Sequence, residues 1–96
     1  MLYLFCYLDN TTFFLTYRVP TVLRIGSFRF HFYSDEMREP SHIHVATPEG
    51  ECKFWLEPIV LARNRGVRPH EIREIERLVF EHQEFLKEKY REYHNR

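Results

Sequence analysis

Two histidines spaced two apart, His42 and His44, follow a polar stretch, Ser34 to Ser41 (SDEMREPS), that contains Asp35 and Glu36. On a β-strand, residues i and i+2 project to the same face. The two imidazoles can then act as neighbouring metal ligands, with a carboxylate from Asp35 or Glu36 as a third. Such a set would bind a divalent metal and serve a small hydrolase or nuclease. The plainer account is that a half-exposed strand places polar side chains on its wet face whatever they do. A bare H-x-H does not decide between the two.

A second group is basic. Arg63, Arg65 and Arg68 fall within a short loop-like stretch leading to a helix start, where free backbone N–H groups favour anions. These arginines are candidates for contact with a phosphate or a nucleic acid, and an ordinary solvated loop is the alternative. Phe54 and Trp55 read as strand residues that fill the core rather than stack a base. Two-thirds of the H-x-H-x-H pattern of histidine-triad hydrolases is present, but Ala46 occupies the third position. There is no Gly-rich phosphate loop, C-x-x-C or nucleophile elbow.

Composition limits the class of molecule. The chain has 96 residues, 44% of them hydrophobic and 29% charged, which suits one globular domain. Fourteen basic and fourteen acidic residues balance to a formal charge of zero, so the surface as a whole is not a polyanion trap. A local basic patch is compatible with that balance. Cys6 and Cys52 are too few for a disulfide scaffold and read as reduced thiols, which implies a cytoplasmic protein. Aromatic residues make up 17% of the chain and raise the apolar area that a short sequence can bury. Dimerisation is the other common remedy for a small core.

The elements that must position these groups follow from periodicity. Thr21 to Ile25 reads as a strand, and Gly26-Ser27 as a two-residue hairpin turn. Phe28 to Tyr33 alternates: Phe28, Phe30 and Phe32 share one face, Arg29, His31 and Tyr33 the other. That pattern predicts an antiparallel sheet with one packed and one wetter face. His42 to Ala46 and Cys52 to Leu56 read as strands around a turn at Pro48 to Glu51, with Pro58 ending the second. Ile59 to Ala62 fits an edge strand or a helical turn, broken by Asn64-Arg65-Gly66. Pro69 to about Tyr93 reads as one helix, with Pro69 at its first position and a stripe through Ile72, Ile75, Leu78, Val79, His82, Phe85, Leu86, Tyr90 and Tyr93. Phe80 lies off the stripe. The expected fold is α+β: a small antiparallel sheet of hairpins with one long C-terminal helix packed on one face.

Residues 1–18 differ from the rest. Two apolar runs, Leu2 to Leu8 and Phe13 to Tyr17, flank a polar break, and both are far shorter than a membrane span. With no preceding Lys or Arg and no small-residue cleavage site, the segment is a poor signal peptide. It reads as an N-terminal extension outside the natural domain, added by choice of an upstream start; the alternative is a β-hairpin or edge-strand pair added to the sheet. Residues 19–96 form the single domain.

Several stretches together resemble the bacterial family filed as domain of unknown function 4160. They are Val19 to Gly26, Phe28 to Glu36, Glu39 to Val45, Lys53 to Pro58, Leu61 to Gly66 and Glu71 to Val79. The resemblance runs from residue 19 to residue 93. It departs from the family pattern at Pro40-Ser41, where Pro-Pro is usual, and at Arg68, where a Ser-like helix cap is usual. Members resemble one half of a two-gene pair with a second small domain, in the manner of a toxin–antitoxin module. The resemblance therefore implies a partner-binding domain, with no enzymatic activity and no cofactor, whose partner is a small protein from the adjacent gene. The metal-dependent hydrolase on His42 and His44 is the alternative, and a homodimer is the alternative partner. A membrane partner is not expected.

Overall fold

In a computed structural model, the structure describes residues 21–33 and 39–94. Five antiparallel strands follow one another as a meander in the order β1-β2-β3-β4-β5. They are β1 (Thr21–Ile25), β2 (Phe28–His31), β3 (His42–Ala46), β4 (Glu51–Leu56) and β5 (Ile59–Arg65). Two helices complete the fold, α1 (Pro69–Glu81) and α2 (Gln83–His94). The α+β class, the antiparallel sheet and the packed C-terminal helical segment are as expected from the sequence. No helix among the described residues is long and apolar enough to cross a membrane.

Turn chemistry sets the register. Gly26 takes φ 58°, the left-handed conformation that a tight hairpin between β1 and β2 requires. Between β3 and β4 the Thr47 N–H donates to the Gly50 carbonyl at 2.8 Å, and the Thr47 hydroxyl accepts from the Glu49 and Gly50 N–H groups. Gly50 is required for space: a Cβ there would lie 2.0 Å from the Arg65 carbonyl oxygen. Glu57–Pro58, a cis peptide, links β4 to β5. Past β5, the Asn64 side chain accepts from the Val67 N–H at 2.9 Å and donates to the Val67 carbonyl at 3.0 Å.

Phe28, Phe30, Phe32, Ile43, Val45, Phe54 and Leu56 form the apolar face, and Ile75, Leu78, Val79, Leu86 and Tyr90 close over it. Burying such side chains stabilises at roughly 25 cal/mol per Å² of apolar area.

Three expectations need correction. The single long helix is broken at His82, which leaves helical geometry at φ −111°, ψ 19°. The Gln83 side chain then donates to the Leu56 carbonyl at 2.7 Å, so the chain is anchored to the end of β4 where it changes direction. Phe85, at the edge of the stripe that Ile75, Val79, Leu86 and Tyr90 centre, is 40% exposed although its spacing put it on the buried face. The basic stretch at Arg63 and Arg65 is strand, not loop, because β5 runs on through Arg65 in register with Glu51. The supposed wet face is not uniformly wet: His31, His42 and His44 are all fully buried. The expectation for residues 1–18 lies outside the described residues, as does Cys6.

Candidate functional site

The sheet face opposite the phenylalanines carries the polar residues. Register fixes its layout: His31 stands opposite His44, His44 opposite Lys53, Ala46 opposite Glu51, and Glu51 opposite Arg65. Glu51 is therefore diagonal to His44 across the β3–β4 hairpin, close enough for their side chains to meet.

Glu51 is the centre of this layout. Its carboxylate accepts the Tyr33 hydroxyl at 2.9 Å through Oε2. His44 Nδ1 lies 3.3 Å from Oε2, and His31 Nε2 lies 3.5 Å from the same oxygen. The His31 and His44 rings are stacked, with centroids 5.6 Å apart and planes inclined by 21°. Tyr33 meets the His44 ring edge-on at 4.4 Å. Both imidazoles are buried, while the Glu51 side chain is 34% exposed. The carboxylate is thus held by the Tyr33 hydroxyl, has two imidazoles against its buried side, and is open to solvent in front.

Its open side looks into a cavity of about 240 Å³ lined by Tyr33, His44, Glu51, Cys52, Arg63 and Arg65. Arg63 and Arg65 are both exposed and, two residues apart on β5, line the cavity together. Arginine donates in a planar fork that suits phosphate oxygens. Cys52 is buried, and burial first, with the Glu51 charge second, pushes its thiol up to about 12. It stays protonated and is a poor nucleophile.

His31 has its own electrostatics. Removal from water lowers its pKa most, and the Arg29 cation lowers it further. The Glu51 carboxylate opposes both, and the balance leaves the imidazole at about 4. At neutral pH His31 is therefore an uncharged ring.

The sequence-derived metal set is divided. His42 and His44 do share a face, with ring centroids 5.1 Å apart. His42, however, turns to the end of the sheet: its Nδ1 donates to the Pro40 carbonyl at 2.9 Å, and its ring meets Trp55 and Tyr90. Glu39 lies beside it and forms an ion pair with Lys53. Asp35 and Glu36 lie outside the described residues. Among the described residues no group of three or more His, Cys, Asp and Glu is disposed to hold a metal ion.

The three arginines are divided as well. Arg63 and Arg65 join His44 at the cavity, whereas Arg68 caps α1 without a side-chain hydrogen bond and pairs with Glu49 at 3.3 Å. Sequence reasoning missed Glu51, Tyr33 and His31. The signal for Glu51 was the turn at 47–50, whose register makes it diagonal to His44.

No curated protein and no solved structure matches the chain. Residues 27–91, which contain every side chain of this cavity, match the sequence profile of a family described as Domain of unknown function (DUF4160), and the chain belongs to that family.

Proposed function

We propose that this domain binds a phosphate-bearing anion between Arg63 and Arg65 and presents Glu51 to it as a proton acceptor. One observation carries the reading: two exposed arginines and a half-open carboxylate, backed by the buried His44 and the half-buried Tyr33, line the same cavity. With His31 neutral, the cavity's two cations and one anion leave a net positive site, which attracts phosphate despite a chain of zero net charge. Calorimetric titration with inorganic phosphate and with a ribonucleoside 3′-monophosphate tests it. Each charge-assisted hydrogen bond contributes about 1.5–3 kcal/mol. The Arg63→Ala/Arg65→Ala protein should accordingly bind at least about tenfold more weakly. Equal affinity in the two proteins, or no binding by the parent at millimolar ligand, would sink the reading.

A second reading, supported by a different observation, is a partner-binding component of a toxin–antitoxin-like pair in the bacterial cytoplasm. Phe80 and Phe85, on either side of the break at His82, are 58% and 40% exposed. Aromatic side chains of this kind anchor interfaces. The occupant is the small protein encoded by the adjacent gene. Co-expression of the two genes, followed by size-exclusion chromatography, should give a complex that Phe80→Ser weakens. Separate elution of the two proteins would remove this reading.

A further inference from the structure

From the composition of the cavity, we infer that the anion is the backbone of RNA, cleaved by attack of the ribose 2′-hydroxyl on the adjacent phosphate. The inference rests on the anion-binding reading above and adds the reaction. Three features lead to it.

The first is the source of the nucleophile. The cavity lining offers a tyrosine tied to Glu51 and a buried, protonated cysteine, so no side chain there is set up to attack phosphorus. A substrate that brings its own hydroxyl removes that need, and RNA does so at every residue. The second is the base. Glu51 combines solvent exposure with a fixed position, because the Tyr33 hydroxyl reaches both of its oxygens, at 2.9 and 3.2 Å, and two buried rings limit its travel on the inner side. A carboxylate held this way can take a proton without swinging out of place. His44 and Tyr33 act through Glu51 and are positioning residues. The third is the charge. A phosphodiester undergoing internal attack becomes a dianionic phosphorane, and two arginines on the cavity rim are placed to bind those oxygens. Their position on strand β5, rather than on a loop, fixes their spacing.

The step balances within the substrate and solvent. The 2′-hydroxyl proton passes to Glu51 as the 2′-oxygen–phosphorus bond forms and the phosphorus–5′-oxygen bond breaks. The departing 5′-oxygen takes a proton from water, and Glu51 returns its proton to the hydroxide so formed. The products are a 2′,3′-cyclic phosphate and a 5′-hydroxyl.

The test uses the full chain, a mixed-sequence RNA oligonucleotide, its all-DNA counterpart and an RNA with one 2′-deoxy residue, all in excess EDTA. Mass spectrometry of the fragments should show cyclic-phosphate and 5′-hydroxyl ends from RNA, an intact DNA strand, and no cut after the 2′-deoxy residue. Glu51→Gln keeps the shape of the side chain and should slow cleavage at least about 100-fold. Its affinity for the ribonucleoside 3′-monophosphate and its circular dichroism should hold. Arg77→Ala, which removes an exposed helix charge paired with Glu81, should leave the rate unchanged. If the protein binds the nucleotide but leaves RNA intact, the chemistry proposed here is wrong and the anion-binding reading stands. Failure of the parent to bind the nucleotide sinks both. Cutting of DNA, or full activity in Glu51→Gln, overturns the inference directly.

Discussion

The buried imidazole of His31 gives the sheet a stability that depends on pH in a calculable way. Its folded-state pKa is pushed down to about 4 from an ordinary 6.5. The folded state therefore binds fewer protons than the unfolded chain between those values, and stability must fall as pH falls through that window. Above 6.5 the contribution is fully present. Taking the two pKa values, the loss from this one group between pH 7.5 and 4.5 is about 2–3 kcal/mol. That is a sizeable fraction of the stability of a domain this small. The groups that face His31 are Arg29 on its own strand, Tyr33 just past it, His44 on β3 and Glu51 on β4. His31→Phe keeps a flat ring in the stack and removes the proton site. Urea unfolding of both proteins at pH 7.5 and 4.5 should show the parent losing about 2–3 kcal/mol more than the variant over that interval. Proton NMR of the parent should place the ring's titration near 4. Equal losses in the two proteins, or a ring titrating at 6.5 or above, would mean that Glu51 outweighs desolvation and Arg29, and the reasoning fails.

Other outcomes follow from packing. Leu86→Ala removes a fully buried side chain from α2 and should cost about 2–5 kcal/mol in urea unfolding, which a change indistinguishable from zero would contradict. Gly50→Ala forces a methyl group into the Arg65 backbone, so it should destabilise by about 1–3 kcal/mol and also weaken phosphate binding as Arg65 shifts. Unchanged stability would mean that the turn and β5 are not in contact. Cys52 should resist alkylation in the native state at pH 8, as read by peptide mass mapping, and react once urea unfolds the chain. Its raised pKa also means that stability falls as pH climbs above 9. Prompt native-state labelling would contradict its burial.

The strands of this fold were readable because their residues alternate and their turns are marked. Phe28, Phe30 and Phe32 point to the core as the period of two requires, and Gly26 ends the first strand where a left-handed residue is needed. The helix break was not readable, because the apolar spacing continues through His82 and only the anchoring of Gln83 to β4 shows where the chain turns. Ile59 to Arg65 was ambiguous for a related reason: an edge strand carries few buried residues, so its pattern is weak. The site was half legible. His44, Arg63 and Arg65 were singled out for their chemistry, yet they were assigned to separate sites. What unites them is Glu51, which spacing along the chain does not place next to any of them. Pairing across three strands does.

The carboxylate and both guanidiniums belong to a single hairpin, β4 and β5, with His44 on the next strand. Their meeting therefore depends on contacts that are short in sequence, and only Tyr33 and His31 come from further away. The two helices, by contrast, contribute to the other side of the sheet, where they cover the phenylalanine face. Changes within Glu51 to Arg65 alter the chemistry directly.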